Sequence, residues 1–169
     1  MLDIQKDLRL FGFEGDIDQS PATRDQFSHD ASMFELLPSA VLHPKSAKDL
    51  ETLVSWVNQA KTKYNGHLSL TARSAGTDMG GGAITESIIV DMTKYFNKIG
   101  DVSLERAVVQ PGVYYRDFEK QTLKHGALMP SYPASRELCT VGGMVANTSG
   151  GENSLQHGKT DKVVTQLSV

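Results

Sequence analysis

Ten consecutive residues, Arg73-Ser-Ala-Gly-Thr-Asp-Met-Gly-Gly-Gly82, combine a cation, hydroxyls and four glycines. That combination is suited to holding an anion. Glycines lack the Cβ that keeps successive backbone N–H groups apart, so those groups can converge on one negative charge. In a P-loop or a Rossmann turn the glycines lead into a helix, whose free N–H groups carry the phosphate. Here the strand-like Leu68–Ala72 precedes the loop and the strand-like Ser87–Asp91 follows it, and Gly-Lys-Ser/Thr is absent. The loop itself must therefore hold the anion. A second small-residue segment runs from Thr140-Val-Gly-Gly143 through Asn147 to Thr148-Ser-Gly-Gly151.

The elements that must position these segments are partly legible. Ala40–His43 reads as a short strand ended by Pro44, and Ser46 as a helix N-cap with Asp49 as a weak capping-box partner. Leu50, Leu53, Val54, Val57 and Ala60 then recur at helical spacing and define a buried face, with Trp56 as a packing residue. Asn65-Gly66 stops that helix. Strand, helix and strand over about thirty residues make a βαβ crossover with a parallel pair. Ile88–Val90 and Ala107–Val109 are two further strands separated by a polar turn at Gly100-Asp101. Tyr114–His125 reads as a helix that faces Phe118, Thr122 and Leu123 inward and stops at Gly126. Val163–Val169 resembles the beginning of a strand, which suggests an incomplete chain. Residues 1–38 form a polar, partly helical lead-in.

Composition narrows the function. The 169 residues carry a net charge of −3, 39% hydrophobic and 22% charged residues, as an ordinary globular protein does. No basic footprint points to nucleic acid, and no apolar run approaches the ~20 residues of a membrane span. The acidic N-terminus lacks a signal core. A lone Cys139 excludes an internal disulfide and an all-cysteine metal or iron–sulfur site, and a reducing cytoplasm fits. The five histidines are scattered, so no metal site is expected.

Arg73-Ser-Ala-Gly-Thr77, Val109-Gln-Pro-Gly112, Pro133-Ala-Ser135, Cys139-Thr-Val-Gly-Gly143, Asn147 and Gly150-Gly151 occur in one order and spacing. Together they resemble the FAD-binding domain of the FAD-linked oxidases, the vanillyl-alcohol oxidase / p-cresol methylhydroxylase superfamily, and most of all its glycolate oxidase subunit and D-lactate dehydrogenase branch. Phe27–Ser32 and Leu37–Val41 fit that branch as well. The resemblance implies an α+β (α/β) fold of two lobes with FAD between them. Residues 39–110 would form a complete first lobe containing the βαβ unit. Residues 111–169 would begin a second lobe, truncated here, and the substrate half would lie further on.

On that resemblance the cofactor-binding residues are Arg73, Ser74, Ala75, Gly76, Thr77 and Asp78 from the first segment, Thr140, Gly142, Gly143, Asn147 and Gly150 from the second, and Ser135 from Pro133-Ala-Ser135. Backbone amides of Ser74–Asp78 would grip the pyrophosphate, and Thr77 would add a hydroxyl. Arg73 would act either as a charge clamp or as a brace for the loop. Thr140 would cap a short helix whose free N–H groups point at the cofactor, and Gly142 and Gly143 would let backbone approach it. Asn147 would offer donor and acceptor to polar ring edges, and Ser135 would lie near the adenine or phosphate side.

Ser74 stands where the family usually has glycine, and Gly80 where serine is common. No histidine lies between His67 and His125, which leaves covalent flavin attachment unsupported, so FAD is expected to bind non-covalently. His157 is either a flavin contact or an ordinary loop histidine. Cys139 reads as a buried structural thiol and Asp91 as a turn cap. The implied activity is oxidation of a small organic substrate, a 2-hydroxy acid such as lactate or glycolate, with no catalytic residue identifiable in this chain. The alternatives are a non-catalytic flavin- or nucleotide-binding module of a larger oxidase, or an NADPH-dependent cell-wall precursor reductase of the same superfamily.

Overall fold

The computed structural model describes residues 4–64 and 66–169, and these divide into two compact units. The first comprises residues up to Arg73 together with Asp78–Tyr95; the second comprises Ser74–Thr77 together with Phe96–Val169.

In the first unit, helix α1 (Ile4–Leu10), strand β1 (Asp16–Asp18) and helix α2 (Pro21–Gln26) precede strand β2 (Ala40–His43). Helix α3 (Ala47–Ala60) and strands β3 (Leu70–Arg73) and β4 (Ile88–Asp91) follow. The sheet order is β1-β2-β4-β3, with β1 antiparallel to β2 and the other pairs parallel. β2 and β3 thus run parallel as expected, but β4 lies between them. Every residue of β2 and β4 is buried, which is why both read as unbroken apolar runs rather than as alternation.

Ser46 caps α3 by accepting from the Asp49 N–H at 3.2 Å. The Asp49 carboxylate does not complete a capping box. It accepts from the backbone N–H groups of Lys45 (2.7 Å) and Glu14 (2.8 Å), tying the lead-in to the helix start. The buried face of α3 carries Leu53, Trp56, Val57 and Ala60, whereas Val54 is 55% exposed. Val54 stands two positions before Trp56, hence on the far side of the helix. The lead-in supplies the reason for this orientation. Ile4, Leu8 and Phe13 belong to the same core as Trp56, so a segment that reads as polar contributes substantially to the interior. Asn65, half of the expected helix stop, lies outside the described residues, as does the start of the lead-in. Gly66 takes φ +77 and donates to the Lys61 carbonyl at 2.8 Å.

The second unit holds strands β5 (Ile99–Val102) and β6 (Ala107–Val109), helices α4 (Tyr115–Lys124), α5 (Val141–Ala146) and α6 (Ser154–His157), and a 3-10 turn at Thr160–Lys162. Gly100 and Asp101 lie inside β5, not in a turn. The turn is at 103–106, where the Ser103 N–H donates to the Arg106 carbonyl at 2.8 Å. A register irregularity between Ile99 and Val102 accommodates the two polar residues in an antiparallel ribbon. α4 buries Phe118 and Thr122 but leaves Leu123 55% exposed, and Gly126 ends it at φ +73. Val113, Tyr115, Phe118, Tyr132, Cys139, Val141 and Met144 form the core. Val163–Val169 forms no strand; among the described residues no neighbouring strand is present to take up its backbone groups.

Candidate functional site

Three parallel strands end on polar residues: β2 on His43, β3 on Arg73 and β4 on Asp91. The carboxyl end of parallel strands is where α/β sheets commonly place ligands. His43 and Asp91 are joined there by a hydrogen bond of 2.8 Å, with side chains only 11% and 4% exposed. A carboxylate only accepts, so His43 donates from Nδ1. Burial by itself pushes the Asp91 carboxyl up. The His43 ring and the N–H and hydroxyl of Thr93 outweigh it and hold the carboxyl below its ordinary range. Asp91 therefore does cap a turn, through Thr93, and its second oxygen engages the buried His43.

The first glycine segment leaves β3 at Arg73, whose side chain is turned into the first unit. Its Nη1 donates to the carbonyls of Phe27 and Ala83, each at 3.2 Å, and the guanidinium lies 5.1 Å from the centre of the Phe27 ring. Asp78 is also occupied: its carboxylate accepts the N–H groups of Gly80 (3.1 Å) and Gly82 (2.8 Å). The glycine-rich second half of the loop thus closes on its own aspartate. The first half differs. Among the described residues, the N–H groups of Ser74, Ala75, Gly76 and Thr77 make no hydrogen bond. Gly76 adopts φ +69, where a side chain is strained, while Ser74 keeps a conformation that tolerates one. The N–H groups of Asp78 and Met79 are likewise unpaired among the described residues, and a run of free donors around a left-handed glycine fits an anion.

The second segment is held against residues 111–115 by hydrogen bonds from Val141 to Val113 O, Gly142 to Pro111 O and Tyr115 to Cys139 O, each 2.9 Å. Thr140 caps α5 as expected, accepting from the Gly143 N–H at 3.3 Å. The expectation that this helix presents free N–H groups is corrected, because those of Val141, Gly142 and Gly143 are all spent within the chain. Gly142 is required for packing, since a Cβ there would meet Pro111 O at 2.6 Å. Gly143 is open: a Cβ would find only Thr140 Oγ1, at 3.3 Å. A Cβ at Gly150 would meet Ser154 Oγ at 2.5 Å, so that glycine too is packed.

Asn147 is exposed at the C-cap of α5. Thr148 follows in the left-handed region at φ 47, and Thr148 and Ser149 donate to Val145 O and Met144 O. This is a Schellman ending with threonine where glycine is usual. The Ser135 carbonyl accepts from Leu138 and Cys139, each at 2.8 Å, and burial raises the Cys139 thiol above its ordinary range. His157 is exposed at the end of α6. Ser74–Thr77 thus share a unit with Ser135, Thr140, Gly142, Gly143, Asn147 and Gly150, whereas Arg73 and Asp78 belong to the other. The sequence offers no local signal for the His43–Asp91 pair or for the partners of Arg73, because each partner lies more than forty residues away, Ala83 excepted.

Comparison with known proteins gives a consistent set of relatives. Residues 38–169 match the family described as FAD binding domain. The D-2-hydroxyglutarate dehydrogenase of Haemophilus influenzae is 35% identical over 99% of this chain. Glycolate oxidase subunit GlcD of Bacillus subtilis is 28% identical over 99% of the chain, and D-lactate dehydrogenase of Archaeoglobus fulgidus is 26% identical over 75%. The chain spans only 16% of the first of these proteins, 35% of the second and 28% of the third. A solved structure of alkyldihydroxyacetonephosphate synthase superposes with a TM-score of 0.77 over 95% of this chain and 33% of its own, at 21% identity, which shows a shared fold. Among the described residues no helix is long and apolar enough to cross a membrane.

Proposed function

Because the chain belongs to the FAD binding domain family, we propose that it forms the cofactor-holding part of a flavin-dependent oxidoreductase acting on a small 2-hydroxy acid such as lactate or glycolate. The observation that carries the reading is that Ser74–Thr77, within a run of unpaired N–H groups, lie in the same compact unit as the second glycine segment. In this reading those amides and the Thr77 hydroxyl hold the pyrophosphate. Gly143 gives close approach beside it, Asn147 supplies a donor and an acceptor, and Ser135 and Thr140 shape the wall. Gly142 keeps the backbone of Pro111 close, Gly150 leaves room for the Ser154 side chain, and Asp78 fixes the loop by taking up the amides of Gly80 and Gly82. Bound FAD supplies the redox chemistry; the residues here bind and orient it.

The lobes of 39–110 and 111–169 belong to the same proposal, although the compact units divide the chain differently and place β5 and β6 with the second. FAD is held non-covalently, since no histidine stands between His67 and His125. A cytoplasmic setting is consistent with the single cysteine. The names of the three sequence relatives, each of which carries a hydroxy acid, support the substrate class.

The test is direct. Purified protein should be yellow, absorb near ~450 nm as flavins do, and release free FAD on acid precipitation. Colour retained in the pellet would mean a covalent link. Gly76→Val should fold yet lose flavin, because valine resists φ +69 and thereby redirects the amides. A folded variant with full occupancy would place the diphosphate elsewhere.

A further inference from the structure

The segment 27–36, between α2 and β2, precedes the family match at residue 38. It is a tight out-and-back excursion. His29 and Glu35 form an antiparallel bridge, and the Leu36 N–H donates to Ser28 O at 3.0 Å. Besides an edge-on contact of Phe27 with the His43 ring and bonds from Ser28 to Asp25 O, it reaches the glycine loop. The Ala31 N–H donates to Asp78 O at 3.1 Å. Phe34 lies against Gly81, where a Cβ would meet its ring at 3.1 Å. The Phe27 carbonyl and ring hold Arg73 from two sides.

Arg73 itself joins both ends of the loop. It leads into the loop from β3 and donates to Ala83 beyond it. Burial opposes its charge, and the nearby carboxylates of Asp30 and Asp91 favour it without forming an ion pair with it. A guanidinium that recognises phosphate by charge directs its fork at the ligand. This one spends both hydrogens of Nη1 on carbonyls of its own unit, while Nε and Nη2 make no hydrogen bond among the described residues.

We propose that Arg73 is a positioning residue that fastens the glycine loop to a strap formed by residues 27–36, and that it does not hold the diphosphate by charge. The proposal deepens the flavin reading and rests on it only where affinity for FAD is measured.

The test uses Arg73→Lys and Arg73→Met in the full chain. Lysine keeps the charge but cannot reproduce a forked, stacked brace. Both variants should weaken FAD binding by a similar factor, about tenfold, and both should keep the parental dependence of affinity on salt. In ligand-free protein, amide hydrogen exchange should accelerate together in 27–36 and 78–84 while α3 stays protected. Near-parental binding by Arg73→Lys, with Arg73→Met losing both affinity and salt dependence, would make Arg73 the charge partner and overturn the proposal. Parental exchange in both variants would overturn it equally. Should either variant fail to fold, Phe34→Ala removes the strap's ring from Gly81. Faster exchange at 80–84 supports the strap and unchanged exchange refutes it. If the parent binds no FAD, the flavin reading fails while the exchange experiment still decides the brace.

Discussion

Among the described residues Thr148 is the one non-glycine residue with a left-handed backbone. Its branched Cβ makes that conformation costly, by about 1 kcal/mol or more. Thr148→Gly should therefore raise the urea midpoint by an equivalent of about 1 kcal/mol; an unchanged midpoint would show that the turn is unstrained. Gly142 and Gly143 are adjacent and predicted to behave oppositely. Gly142→Ala drives a methyl into the Pro111 backbone and should cost about 1–3 kcal/mol. Gly143→Ala asks only a few tenths of an ångström from Thr140 Oγ1 and gains helix propensity, so its stability should stay close to the parent's. Thermal or chemical melts of the pair separate the two roles. Residue types announced the glycine loop and the Thr140 cap, because both are local chemistry. They did not announce that Val113 and Pro111 consume the first amides of α5, since those acceptors come from a distant part of the chain. For the same reason Asp91 read only as a turn cap, with its histidine partner 48 positions away.

At the scale of elements, the Asp91–His43 bond links the ends of the adjacent strands β4 and β2. The folded carboxyl sits below its ordinary value, so its contribution is fully present above about pH 4 and is lost as pH falls through the folded value. Asp91→Asn should lower stability at neutral pH and flatten the acid limb of a stability–pH profile. An identical slope would deny the pair any linkage. Asp49→Ala should cost about 2 kcal/mol, because it leaves the N–H groups of Glu14 and Lys45 without their acceptor. The crossover from β2 through α3 to β3 was legible from periodicity and caps. That β4 fills the place between them was not, because spacing alone specifies direction and leaves neighbours open. Likewise the inward face of α3 was shifted by α1, whose few apolar residues carry too weak a period to read alone.

For the whole molecule, a ligand that binds only the folded state stabilises it by mass action. FAD at a hundredfold excess over its dissociation constant should add about 2.7 kcal/mol. Titrating FAD during thermal melts checks this, and a midpoint indifferent to FAD would remove the proposed function. The distribution of the chain between its units has a separate consequence. Ser74–Thr77 are flanked on both sides by residues of the first unit yet belong to the second. No single scissile position therefore frees either unit intact. A fragment stopping at Tyr95 would carry four foreign residues as a surplus bulge, and one starting at Phe96 would be missing them. Co-expressing such halves should reconstitute less than the uncut polypeptide, and a protease nick within 74–77 should injure both products at once.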